Sequence, residues 1–282
     1  MNAERKRLAL ITGAASGIGY GIARAAGREG FRIVLADIDE SASKRAAASL
    51  GAEGIEALPL RLDVGSDAAW QQASELVESQ AAGLDLLVNN AGITGTGRPV
   101  AELEAAEWRR IIEVNLTGLF LGTRTMLPLL RKPAGGAHIV NTASMGALLP
   151  YAGGASYTAS KAGMLAFSEC LRQELEGSGI GVSVLLPAQV RTRLFDTSAG
   201  ALDPDTGDAM SRRAAQVASL QRDGLDPLVV GERVMRAVRE REFYVFTHPE
   251  LEPIVTQRFS AMLTAMRDPP RSVVSPQAPT SS

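Results

Sequence analysis

Leu8-Ala9-Leu10-Ile11-Thr12-Gly13-Ala14-Ala15-Ser16-Gly17-Ile18-Gly19 is an apolar run that breaks abruptly into a glycine-rich turn. Apolar residues at helical spacing follow at Ile18, Ile22, Ala25 and Ala26. The order strand, tight turn, helix is the reading this stretch supports. Glycines at such a junction let the backbone turn sharply, approach a phosphate closely and pack against the helix, whose first amides favour an anion. The spacing of Gly13, Gly17 and Gly19, Gly-x3-Gly-x-Gly, differs from the usual Gly-x-Gly-x-x-Gly fingerprint, and a glycine turn alone is weak evidence. It lacks the Gly-Lys-Ser/Thr ending of a nucleoside triphosphatase loop.

Working outward, residues 32–36 form a second apolar run that ends at Asp37, eighteen residues after Gly19. A carboxylate there can accept hydrogen bonds from adenosine ribose hydroxyls. The competing reading is an Asp that starts a turn or caps the helix near Ser41. With the glycine turn upstream, the ribose reading is preferred. The same carboxylate repels a ribose 2′-phosphate, and neither Ala15 nor Ile38 is a basic residue that offsets it. NAD(H) is therefore favoured over NADP(H).

The alternation continues with an Ala-rich helix at 41–50 and strand-like runs at 55–62, 84–88, 137–140 and 182–186, separated by helical stretches. Strands that are apolar throughout and alternate with helices predict an α/β fold with one doubly wound, Rossmann-like parallel sheet covered on both faces. A helix at 230–239 and a last strand at 243–246 follow. Residues 189–226, with Gly200, Pro204, Gly207 and Gly224, read as a mobile substrate-binding loop over the sheet edge. Residues 268–282 are rich in Pro and Ser and read as a disordered tail, leaving one domain over 1–267.

The 282 residues carry 29 basic and 31 acidic side chains, a formal net charge of -2, with 45% apolar composition. The balance argues against nucleic acid as a partner. The basic cluster Arg5-Lys6-Arg7 before an apolar run resembles a secretory signal, but the run is too short and reads better as a strand. The charge-free stretch from Pro133 to Ser160 is too rich in Gly, Asn and Ser for a membrane helix. A single cysteine, Cys170, fits a reducing compartment such as the cytoplasm and is expected to be a small buried residue.

Asp63-Val64 closes the third strand, where it reads either as a ligand of the adenine edge or as a strand-terminal cap. Asn89-Asn90-Ala91-Gly92 follows the fourth strand, either in the ligand crevice at the carboxyl ends of the sheet or as a plain turn. Ser144 follows the fifth strand, with Tyr157 and Lys161 thirteen and seventeen residues beyond it. Residues at i and i+4 share a helix face, so phenol and ammonium can address one crevice. Alone, that pair is equally a half-buried aromatic beside a solvated charge.

Taken together, these segments resemble the short-chain dehydrogenase/reductase family over about 250 residues, a span that covers most of the 282-residue chain. The matching motifs are Thr12 to Gly19, Asp37, Asp63-Val64, Asn89 to Gly92, Asn115, Ser144, Tyr157-Thr158-Ala159-Ser160-Lys161 and Pro187 to Thr192. The resemblance implies a catalytic tetrad of Asn115, Ser144, Tyr157 and Lys161. It implies cofactor contacts at Gly13, Ser16, Gly17, Ile18, Gly19, Asp37 and Ile38, at Asp63, Val64, Asn90, Ala91 and Gly92, and at Tyr157, Lys161, Pro187, Val190 and Thr192. The chain departs from the family at Ala188, where glycine is usual, and it lacks the VDGG-like ending of acyl-carrier reductases. The resemblance further implies a homodimer or homotetramer.

The chemistry has independent sense. A free tyrosine titrates near about 10, and a cation about 4 Å away at an effective dielectric near 20 is worth roughly three pK units. Lys161, with the positively charged nicotinamide ring, is thus expected to bring Tyr157 near 7. Ser144 would hold the substrate oxygen, and Asn115 would position water between Lys161 and solvent. His138 reads as a satisfied structural histidine and His248 as a strand-end residue before Pro249, neither with partners at metal-ligand spacing. No metal is implied, since the mechanism that the resemblance implies uses tyrosine to polarise the oxygen.

The implied activity is hydride transfer between NAD(H) and a secondary alcohol or ketone. Leu148, Leu149, Tyr151, Leu194, Phe195, Leu202 and Met210 suggest a hydrophobic, cyclic or aromatic substrate, although core packing explains them equally. The alternatives are an NADPH-dependent ketoreductase and a nucleotide-sensing regulator on the same fold, the latter disfavoured by the complete tetrad.

Overall fold

The computed structural model describes residues 6–192 and 222–267. The chain divides into two compact units, Met1–His248 and Pro249–Ser282. The first contains a seven-stranded sheet in the order β3-β2-β1-β4-β5-β6-β7, with every pairing parallel. Its strands are β1 (Leu8–Thr12), β2 (Arg32–Asp37), β3 (Ala57–Arg61), β4 (Leu86–Asn89), β5 (Ala137–Thr142), β6 (Ile180–Leu186) and β7 (Tyr244–Phe246). Helices α1 (Gly17–Arg28), α2 (Glu40–Ala52), α3 (Asp67–Gln80), α4 (Ala105–Ile112), α5 (Gly118–Leu130), α6 (Ala155–Glu174) and α7 (Pro227–Glu240) connect them. This is the Rossmann-like fold expected.

The central strands β1, β4, β5 and β6 are buried along their whole length, because helices cover both faces and no polar face is needed. The outer strand β3 is half-buried and carries Pro59 opposite Leu35, tolerable where one edge of the strand makes no ladder bonds. It is shorter than the 55–62 run, since Ile55 belongs to the turn that ends α2. Helix starts follow their capping residues. Asp39 accepts from the Ala42 amide, Ser66 from Ala69, and Asp226 from Leu228 ahead of Pro227 in the first turn of α7. Asp39, rather than Asp37, thus caps α2.

Helices α1 and α7 touch backbone to backbone. A methyl group at Gly21 would run into the Pro227 carbonyl, and one at Gly231 into the Gly21 carbonyl. Helices α4 and α5 are joined by a wide π-helical turn, Glu113–Thr117, which holds Asn115 with its side chain fully buried. Cys170 is exposed, against the expectation of burial. Its helix α6 buries Met164, Ser168 and Leu171, and position 170 falls on the other side.

The second unit contains helix α8 (Glu252–Arg267), none of whose residues is buried. Among the described residues, no helix is long and apolar enough to cross a membrane.

Candidate active site

The strand order reverses between β1 and β4, the switch point at which open α/β sheets form a crevice beyond the carboxyl ends of their strands. A cleft of about 780 Å³ lies there. It is lined by Gly13, Ser16, Gly17 and Ile18 after β1, by Asp37 and Ile38 after β2, and by Asp63 and Val64 after β3. Asn90, Ala91 and Gly92 line it after β4, Ser144 after β5, Tyr157 and Lys161 from α6, and Pro187, Val190 and Thr192 after β6.

Gly19 and Asn115 do not line the cleft. A methyl group at Gly19 would collide with the Gly13 carbonyl and stand 2.6 Å from the side-chain Nδ2 of Asn90, so this glycine closes the turn from behind. Gly13 and Gly17 have φ of 62° and 56°, the left-handed region open to glycine. A methyl group at Gly13 would lie 2.9 Å from Ala91 Cα, and one at Gly17 3.1 Å from the Thr192 side chain. Thr12 ties the turn to β4: its hydroxyl accepts from the Asn90 and Ala91 amides at 2.9 and 3.0 Å and donates to the Val88 carbonyl at 3.2 Å. The sequence offered no sign of this bridge.

Helix α1 opens on the cleft at Ser16 with no side-chain cap and no acidic residue in its first turn. The positive end of the helix is therefore offset by no acidic residue of that turn, which suits a pyrophosphate. Asp37 accepts from the Ala15 amide at 3.0 Å and the Asp39 amide at 3.1 Å, one on each carboxylate oxygen. Each oxygen keeps a lone pair for ribose hydroxyls. Ile38 is 52% exposed beside it. Asp63 closes an Asx turn by accepting from the Gly65 amide at 3.0 Å. These features fit a dinucleotide.

Ser144 caps the short turn after β5 by accepting from the Gly146 amide at 3.0 Å, which orients its hydroxyl into the cleft. Tyr157 sits in the first helical turns of α6. Burial pushes its phenol up to about 12; a hydrogen bond with Ser144 pulls the other way, and the neighbouring Tyr151 phenol raises it further. Lys161 is buried, and that burial lowers its ammonium to about 7. Its Nζ donates to the Thr142 carbonyl at 2.8 Å and to Met164 Sδ at 3.4 Å, and stands 5.7 Å from the Tyr157 ring centre. The expectation of a Tyr157 near 7 is therefore not met by the chain's own groups. Desolvation dominates, and the Lys161 ammonium is hydrogen-bonded to Thr142 and Met164 rather than to the phenol.

Asn115 is a clamp. Its Oδ1 accepts from the Ile93 amide at 2.8 Å, while Nδ2 donates to the Ile93 carbonyl at 3.0 Å and to Ser160 Oγ at 2.9 Å. Both amide protons are engaged, leaving its side chain no donor for water. A methyl group at Gly92 would lie 3.2 Å from Asn115 Oδ1 and 3.4 Å from Lys161 Nζ, so glycine keeps this corner open. Glu107, also missed, is buried and accepts from the Thr96 amide at 2.8 Å and from its hydroxyl, fixing the loop that carries Ile93 and Thr94 into the cleft. Arg110, not singled out on sequence, lines the cleft as well.

A family model described as short chain dehydrogenase matches residues 7–201. The chain belongs to the short-chain dehydrogenase family. It is 32% identical, over 94% of its length and 92% of the relative's, to 1-deoxy-11-beta-hydroxypentalenate dehydrogenase of Streptomyces exfoliatus. It is 35% identical over 83% of its length to "Probable oxidoreductase EphD" of Mycobacterium tuberculosis, but spans 40% of that protein. Among solved structures, a short chain dehydrogenase/reductase from Burkholderia phymatum in complex with NAD superposes with a TM-score of 0.86 at 30% identity, covering 98% of this chain and 100% of that one.

Of the expected substrate-side residues, Leu149 and Tyr151 line the cleft. Leu148 does not line it and is buried. Leu194, Phe195, Leu202 and Met210, with residues 193–221 of the expected loop, lie outside the described residues. No cluster of metal-ligating side chains occurs among the described residues. His138 is the structural residue expected, with Nε2 2.7 Å from Ser183 Oγ.

Proposed function

We propose that this chain is an NAD(H)-dependent alcohol dehydrogenase or ketone reductase acting on a secondary alcohol or ketone, with Tyr157 as general acid and base. The observation that carries the reading is the convergence of Ser144, Tyr157 and Lys161 on one cleft whose other end holds the glycine turn and Asp37. A hydrophobic, cyclic or aromatic substrate is favoured by the apolar wall formed by Ile93, Met145 and Leu149. It is in keeping with the name of the Streptomyces relative, a dehydrogenase of a hydroxylated pentalenate.

The nicotinamide dinucleotide supplies the acceptor, or in the reverse direction the donor, of a hydride. Gly13, Ser16, Gly17 and Ile18 would hold its pyrophosphate, Asp37 its adenosine ribose, and Asp63-Val64 the adenine edge. Asn90 to Gly92, Pro187, Val190 and Thr192 would border the nicotinamide half. Ser144 donates a hydrogen bond to the substrate oxygen and stabilises charge there. Tyr157 takes the hydroxyl proton when the alcohol is oxidised, while the hydrogen on the carbon leaves with its electron pair; in ketone reduction the phenol returns the proton. The raised phenol makes Tyr157 an acid in the protein by itself, so oxidation needs the positive charge of Lys161 and of the oxidised ring together. Asn115 keeps Ile93 and Ser160, and through them the floor of the cleft, in place.

Two cleft-remote aromatics, Trp108 on α4 and Phe120 on α5, are 40% and 44% exposed, which supports a homodimer or homotetramer packed through these helices. Light scattering at micromolar protein reads the mass directly. The function is tested by following reduced nicotinamide absorbance with NAD+ and NADP+ across a panel of secondary alcohols. Cofactor binding without turnover of any of them would favour a nucleotide-sensing role instead.

A further inference from the structure

Tyr151 lies in the segment that runs from Ser144 to Tyr157 and lines the same cleft. Its side chain is 51% exposed, and its hydroxyl has no hydrogen-bond partner among the described residues. The ring does not merely hang in solvent. It rests on Gly154, where a methyl group would stand 2.5 Å from Cε2, and the Gly154 amide donates to the Tyr151 carbonyl at 3.1 Å. Gly153, at φ 77°, lets the same turn abut the Gly97 carbonyl. Two glycines thus seat one phenol at the mouth of α6.

The chemistry of the surroundings narrows what that phenol meets. The acidic lining residues Asp37, Asp39 and Asp63 follow β2 and β3, at the far end of the cleft. The lining also holds the apolar Ile93, Met145 and Leu149 beside Thr94, Arg110, Ser144 and Gln189. An apolar substrate alone gives a tyrosine hydroxyl nothing to bind, and covering it without a partner is unfavourable.

We propose that Tyr151 is a substrate-positioning residue whose phenol hydrogen-bonds a second oxygen of the substrate, so that the preferred substrates are hydrophobic alcohols or ketones carrying another oxygen beside the reacting carbon. The inference rests on the reading of Tyr157 as the proton-transfer group. A bond at a second oxygen fixes which face of the carbon is presented, because the contacts of Ser144 and Tyr157 at the reacting oxygen alone leave the rest of the substrate free to turn about it.

The test compares 2-methoxycyclohexanol with 2-ethylcyclohexanol, nearly equal in size but differing in the second oxygen, as substrates of the full chain and of Tyr151→Phe. The wild type should favour the methoxy compound in kcat/KM, and Tyr151→Phe should reduce that ratio roughly threefold to tenfold, the worth of one neutral hydrogen bond. Because Phe keeps the ring on Gly154, a purely steric role leaves the ratio unchanged, and that result overturns the proposal. So does a wild type indifferent to the second oxygen. Turnover of neither compound, nor of any other secondary alcohol, by wild type counts against the proton-transfer role of Tyr157 and removes the basis of this inference with it.

Discussion

The ammonium of Lys161 donates to the thioether of Met164, one turn further along the same helix, at 3.4 Å. A thioether is a weak acceptor, and only the Thr142 carbonyl adds a strong one. The lysine is thus held in the interior with little to stabilise its charge, and burial lowers it to about 7.

Lys161→Met should therefore abolish turnover and stabilise the fold. The unfolded chain keeps the lysine proton up to about 10.5, and the folded one releases it near 7, so the unfolded state binds more protons between those values. Stability consequently rises with pH across that window, and the penalty of the buried charge is complete below pH 7. The variant should gain roughly 2 to 5 kcal/mol at pH 6, a gain that shrinks toward pH 10. Chemical unfolding of both proteins at the two pH values measures it; an equal difference at both would contradict the assignment.

Tyr157→Phe should lower kcat about 10²- to 10⁴-fold while leaving NADH binding, followed by fluorescence, within a small factor of wild type. The substitution removes a hydroxyl and the hydrogen bond with Ser144 but keeps the ring. Near wild-type turnover would sink the role of Tyr157.

Asp37 should give NAD+ an advantage of at least about a hundredfold in kcat/KM over NADP+, since ribose hydrogen bonds and like-charge repulsion act in the same direction. In Asp37→Ser with Ile38→Arg the ratio should shrink or invert. Ile38 is exposed at the cleft, so the new guanidinium reaches a 2′-phosphate without disturbing the core. Loss of the contacts from Asp37 to Ala15 and Asp39 should cost about 1 to 2 kcal/mol of stability at the same time. Wild-type turnover as good with NADP+ would refute the assignment.

His138 makes the fold sensitive to acid. Burial, reinforced by Arg241, lowers its imidazole from 6.5 to about 4. The unfolded chain binds the extra proton between those values, so stability present above pH 6.5 is lost as pH falls toward 4. Urea midpoints should show wild type losing about 2 to 3 kcal/mol more than His138→Gln between pH 7 and pH 4.5. A matched loss in both would show that the imidazole is not the group responsible.

The sheet was legible because its strands are apolar along their whole length, a pattern that β1, β4 and β6 display without help from distant contacts. The positions of Gly13, Asp37, Ser144 and Tyr157 in the cleft follow from strand order alone. What stayed hidden depends on approach between segments remote in sequence. The hydroxyl of Thr12 gains its partners only when β4 is beside it, and the carboxylate of Glu107 only when Thr96 folds over it. Cys170 was misjudged because its type favours burial while its place on α6 decides otherwise. The separation of Lys161 from Tyr157 depends on Thr142 and Met164 competing for the ammonium, which no spacing rule contains.

The wide turn at Glu113–Thr117 also sets a rule about length. Such a turn accommodates one residue more than an ordinary helical turn. Excising a single residue there would let the turn close to an ordinary one with the helix before and after it still in phase, whereas the same excision elsewhere in the helix swings everything before it by roughly 100° relative to α5. Glu107 would then keep Thr96 and Ile111 the core, and what is lost is the wide turn that seats Asn115. Packing thus tolerates a one-residue deletion at this turn better than anywhere else along the helix. Where two related chains differ by one residue at this point, they differ in how the polar side chain of the turn is seated rather than in what the helix packs against the core.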